Sequence, residues 1–69
     1  MKEILYTAKK EIYLNGRRIA SGEITRLQTM QLVVNGTSTV TVADKQGYLH
    51  SMTDKQFRRA FAFDMVTGG

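Results

Sequence analysis

Apolar and polar residues alternate along much of this chain, and the cleanest alternation lies in Gln31–Val42, QLVVNGTSTVTV. Val and Thr are stiff at χ1 and sit well on a pleated surface, so the segment predicts strand. Asn35–Gly36 between the two apolar runs predicts a hairpin, because both residue types tolerate positive φ. Alternation then constrains the register. A two-residue loop would pair Leu32 with Thr39 and Val33 with Ser38, mixing apolar and polar side chains on both faces. A three-residue loop, Asn35–Thr37, pairs Leu32 with Val40 and Met30 with Val42. It gathers Met30, Leu32, Val34, Val40 and Val42 on one face, with Gln31, Val33, Thr39 and Thr41 on the other. One apolar face and one Thr-rich face predict a sheet covered on one side.

A second Asn-Gly hairpin is predicted in Glu11–Ala20, EIYLNGRRIA. Here the two-residue register works. Ile12 faces Ile19 and Leu14 faces Arg17 on one side, while Tyr13 faces Arg18 on the other, with a type I′ turn at Asn15–Gly16. Arg17 and Arg18 then stand at a hairpin tip with Tyr13 beside them. Ile4, Leu5 and Tyr6 support a first strand within Met1–Ala8, interrupted by Lys9–Lys10, a pair suited to protecting a sheet edge. Ser21–Glu23 and Asp44–Gly47 are turns by composition. Ile24–Met30 reads as a strand leading into the central hairpin, although Ile24, Leu27 and Met30 also fall at helical spacing. Tyr48–Met52 is a short strand. Thr53-x-x-Gln56 is a capping box, and Asp54 suits the positive end of a helix dipole. Phe57, Ala60 and Phe61 form an apolar stripe, so a helix is predicted over Asp54–Phe63. A competing strand is read from the alternation Ala60-Phe61-Ala62-Phe63.

These elements predict one β-rich α+β domain. It is a small bent antiparallel sheet or a partly open barrel of the SH3-like kind, with one C-terminal helix closing it. The domain spans residues 1–69, with 67–69 as a flexible tail. A 69-residue domain buries only roughly 60% of its unfolded surface, so a partner subunit is worth considering. With no Cys, disulfides and thiolate metal sites are excluded. No apolar run suits a membrane helix and the N-terminus does not resemble a signal peptide, so a soluble cytoplasmic protein is expected.

The chain carries a formal net charge of +4. That bias is compatible with a polyanionic partner and equally with solubility alone. The chemistry-bearing residues are sparse. His50 is the single imidazole, and a strand would put Ser51 on the opposite face, so the two do not form a base–nucleophile pair. His50 is expected to be a half-exposed surface residue. The six carboxylates form no tight motif, and no phosphate loop, dinucleotide fingerprint or zinc-protease motif occurs. The reading is a non-enzymatic accessory or regulatory binding protein without metal or cofactor.

Two partner classes fit. Nucleic acid leads: Lys9, Lys10, Arg17, Arg18, Arg58 and Arg59 would contact phosphate, with Tyr13 as a stacking surface. Protein is the alternative, with the chain acting as an inhibitor or adaptor for a host or cognate protein. It would work by strand addition or through an apolar patch at Phe63, Met65 and Val66, and a homodimer is a further option. Compact chains without Cys or Pro are typical of accessory genes on phages and other mobile elements. The ending Phe63-Asp-Met-Val-Thr-Gly-Gly69 resembles the ends of ubiquitin-like sulfur-carrier proteins. The resemblance covers these residues alone and implies a carrier role for the terminal Gly-Gly. The long early helix of those carriers has no counterpart here unless Ser21–Met30 supplies it.

Overall fold

The computed structural model describes residues 2–32 and 38–68. Its elements are β1 (Glu3–Ala8), β2 (Ile12–Leu14), β3 (Arg17–Ile19), β4 (Ile24–Leu32), β5 (Ser38–Ala43), β6 (Leu49–Thr53), α1 (Asp54–Ala60) and β7 (Phe61–Thr67). Five strands form one antiparallel sheet in the order β6-β5-β4-β1-β7, and β2–β3 is a separate ribbon. The expected β-rich α+β class is what the chain adopts. Two bulges bend the sheet. Gln28 is the extra residue of β4 between the Leu27–Val42 and Thr29–Thr41 pairs. Asp64 is the extra residue of β7 between the Tyr6–Phe63 and Leu5–Met65 pairs. A bulge inserts one unpaired residue and increases local twist. Short α1 joins the two edge strands and packs on β5, β6 and β7.

The core holds Ala8, Ile19, Val40, Val42, Met52, Phe57 and Phe61, with Tyr6, Ile12, Leu14, Leu27 and Ala60 packed against it. The β2–β3 ribbon therefore lies against the core of the five-stranded sheet through Ile12, Leu14 and Ile19. Its pairs are Ile12–Ile19, Tyr13–Arg18 and Leu14–Arg17, as alternation required. Asn15 (φ 52°) and Gly16 (φ 77°) are both left-handed, which makes the turn type I′. Ser21–Gly22 and Lys45–Gly47 are turns, and Ile24–Met30 is strand within β4. The early helix of a sulfur carrier is thus absent from Ser21–Met30.

Three expectations need correction. First, Leu32 pairs with Ser38 and Met30 with Val40, two positions away from the three-residue-loop register. Alternation has period two, so a slip of two keeps every side chain on its face and the hydrophobic pattern cannot detect it. The Asn35–Gly36 turn itself lies outside the described residues. Second, α1 ends at Ala60, and Phe61 is already extended at φ −127°, ψ 146°. The capping box on Thr53 and Gln56 is present as expected. The competing strand wins from Phe61 because β1 offers partners: Ala8 to Phe61, Thr7 to Ala62 and Tyr6 to Phe63. Thr67 pairs with Glu3 and belongs to β7. Third, Met30, placed on the apolar face of the central hairpin, is 53% exposed. The β1 pairing reaches only Ile24–Arg26 of β4, which leaves the far half of that strand uncovered.

Candidate functional site

Two regions stand out, one polar and closed, the other apolar and open. The polar one joins the β2–β3 tip to the β5–β6 turn. The β6 strand alternates exposed and buried, which points His50 and Met52 inward and Ser51 outward. His50 is thus 2% exposed, a correction to the half-exposed surface position expected for it. Its Nε2 lies 2.9 Å from Asp44 Oδ2. Its Nδ1 lies 3.0 Å from the Asn15 amide nitrogen. The amide donates to Nδ1, which assigns the ring proton to Nε2, where it is donated to Asp44. Asp44 Oδ1 accepts the backbone N–H groups of Gln46 at 2.9 Å and Tyr48 at 3.0 Å, closing the turn. Arg17 approaches Asp44 at 3.4 Å. Its guanidinium stacks 3.7 Å from the Tyr48 ring centroid.

Burial alone would raise the Asp44 carboxyl. The hydrogen bonds from His50, Tyr48 and Gln46 outweigh that effect and hold it below its ordinary value. Both ring nitrogens of His50 are engaged. Ser51 bonds Thr41 at 2.9 Å on the opposite face. The cluster orients an imidazole but presents no free ring nitrogen and no nucleophile to it. It clasps the ribbon to the β5–β6 end of the main sheet.

The apolar region lies between α1 and strands β1, β4 and β7. A groove of about 310 Å³ is lined by Tyr6, Met30, Asp54, Phe57, Arg58, Phe61 and Phe63. Tyr6 stands edge-on to Phe57 at 4.6 Å and to Phe63 at 5.8 Å, so the wall is a small aromatic stack. Arg58 and Asp54 pair at 3.0 Å on the rim. The groove continues onto β7, an edge strand paired only with β1 among the described residues. On it, Phe63 is 60% exposed, Met65 49% and Val66 50%.

The expected basic surface divides. Arg17, Arg18 and Tyr13 belong to the ribbon tip. There Arg17 is turned onto Asp44 and Tyr48, and Arg18 donates to Glu11 at 2.6 Å, which raises its pKa further. Tyr13 is exposed across from Arg18. Lys9, Lys10, Arg58 and Arg59 instead meet at the C-terminal end of α1. Lys9 Nζ donates to the Arg58 carbonyl at 2.8 Å. The Lys9 backbone N–H donates to the Ala60 carbonyl, also at 2.8 Å. Lys9 is therefore a cap on a helix end, where a cation and a donor are both favoured. Among the described residues, no helix is long and apolar enough to cross a membrane. No three His, Asp or Glu side chains of the described residues converge to hold a metal.

Asp44 and Asn15 as partners of His50, and Tyr6, Met30 and Phe57 as walls of the groove, were not legible in the sequence. His50 carried one usable signal: it stands two residues before Met52 on a strand, on the face expected to be buried. Comparison of the chain with family models, curated proteins and solved structures returns no match.

Proposed function

We propose that this chain is a non-enzymatic protein-binding module of the cytoplasm that takes an extended segment of a partner polypeptide along β7. The observation that carries the reading is the edge strand itself. Six of its seven residues pair with β1, its other edge is unpaired among the described residues, and Phe63, Met65 and Val66 are about half or more exposed. Edge strands are usually blunted by charge, Pro, bulges or cover; β7 carries neither Lys nor Pro, and its one such device is the bulge at Asp64. Helix α1 packs on β7, whose Phe61 end adjoins it, which leaves Phe63–Thr67 as the accessible stretch. An added strand would form main-chain hydrogen bonds there and set one side chain in the aromatic groove. Selection of short random peptides on the intact chain tests this. Amide hydrogen exchange should show new protection at Phe63–Thr67, and a Phe63→Lys/Met65→Lys variant should lose the selected peptides. Protection at the ribbon tip or along β6 would overturn the proposal.

A second reading, single-stranded nucleic acid, is supported by the meeting of Lys9, Lys10, Arg58 and Arg59 beside the Tyr6–Phe63 stack. It is the weaker one, because Arg17, Arg18 and Tyr13 do not join that surface. Titration with an oligonucleotide at two salt concentrations tests it, with a slope of about 0.7 log units per neutralised phosphate.

A further inference from the structure

We propose that the segment β7 receives is acidic at one end: an apolar side chain enters the groove beside Phe63, and Asp or Glu residues next to it meet the cations at the end of α1. This rests on the reading of β7 as a strand acceptor.

Charge placement argues for it. Lys9, Lys10, Lys55, Arg58 and Arg59 make up five of the ten basic residues, and all lie on α1 or on the turn that caps it. The acids nearby are Asp54 and Asp64. Asp54 is already held by Arg58 at 3.0 Å. Asp64 is the extra residue at the bulge next to Phe63, and among the described residues it pairs with no cation. Among the described residues, Lys10, Lys55 and Arg59 pair with no carboxylate. Of the five Arg and Lys residues elsewhere, Arg17, Arg18, Arg26 and Lys45 each face Asp44, Glu11, Glu3 or Glu23, and Lys2 pairs with no carboxylate among the described residues. Four of the five cations without a carboxylate partner, Lys9, Lys10, Lys55 and Arg59, are therefore on α1 or on the turn at its C-terminal end, and α1 supplies Arg58 to the groove. Opposite charge on the partner would steer it to this end and fix its register. The same cations would attract nucleic acid, but a nucleic acid offers no ladder of N–H and C=O groups to a strand edge. Because β7 starts at α1, direction follows. A segment added antiparallel carries its acids after the apolar anchor, and one added parallel carries them before it.

Amide chemical-shift titration of the intact chain tests this with four probes. Two are peptides of about ten residues with a Val-Phe-Val centre, one with four Glu after it and one with four Glu before it. The third replaces Glu by Lys, and the fourth is oligo(dT). One of the Glu peptides should shift the Phe63–Thr67 amides. A Lys10→Glu/Arg59→Glu variant should bind that peptide about tenfold more weakly and prefer the Lys peptide, with an unchanged melting curve. Equal binding of Glu and Lys peptides overturns the acidic partner and leaves strand addition standing. If no peptide binds at millimolar concentration, both fall. If oligo(dT) alone binds, the second reading replaces both.

Discussion

The clasp at the ribbon tip and the groove beside α1 treat side chains in opposite ways. At the clasp, polar groups go inside: Asp44 and His50 are each 2% exposed, and both are fully partnered. At the groove, apolar groups stay outside: Phe63 and Met30 are each more than half exposed. Buried polar groups are tolerated when every donor and acceptor finds a partner, and then they fix a unique arrangement. Exposed side chains such as Phe63 gain less for the isolated fold than buried ones, even with the edge-on contact to Tyr6. The cluster that looks like chemistry is thus a structural joint, and under the proposed function the hydrophobic strand is the surface offered to a partner.

The largest effect should come from breaking the clasp. Asp44→Ala strands the His50 Nε2 proton and two backbone N–H groups, and denaturant unfolding should show a loss of about 3 kcal/mol. Acid sharpens the same point. The Asp44 carboxyl titrates below its ordinary value of 3.8 in the fold, so its contribution is complete above that value and is lost as pH falls through the lowered one. The stability gap between the parent chain and Asp44→Asn should therefore narrow below pH 3.8 in melting experiments. Asn15→Gly separates turn from clasp. Glycine keeps both left-handed angles but removes the donor to His50 Nδ1, at a cost of about 1 kcal/mol. At the groove, Phe63→Ser should change stability by less than about 1 kcal/mol while abolishing peptide binding. Arg18→Ala should leave the melting temperature unchanged, since its pair with Glu11 is exposed.

What the sequence could reveal divides along the same line. The first Asn-Gly hairpin was readable to the residue pair because its turn and register are local. The capping box on Thr53 and Gln56 was readable for the same reason. The end of α1 was not, because Phe61 leaves the helix to pair with Ala8 far away in the chain. The register of β4 on β5 escaped because alternation is blind to a shift of two. His50 was misplaced because its burial depends on Asn15 and Asp44, which come from other turns. The patch at Phe63, Met65 and Val66 was visible as apolar residues. Its groove was not, since Tyr6, Met30 and Phe57 come together only through the sheet order and α1.

The pairing of Glu3 with Thr67 puts the first and last strands side by side, so the backbone enters and leaves at one corner. Only a short tether there would be needed to make the chain circular without disturbing a strand. The same corner would let the domain sit as an insert within the loop of a larger host, held by two adjacent stems.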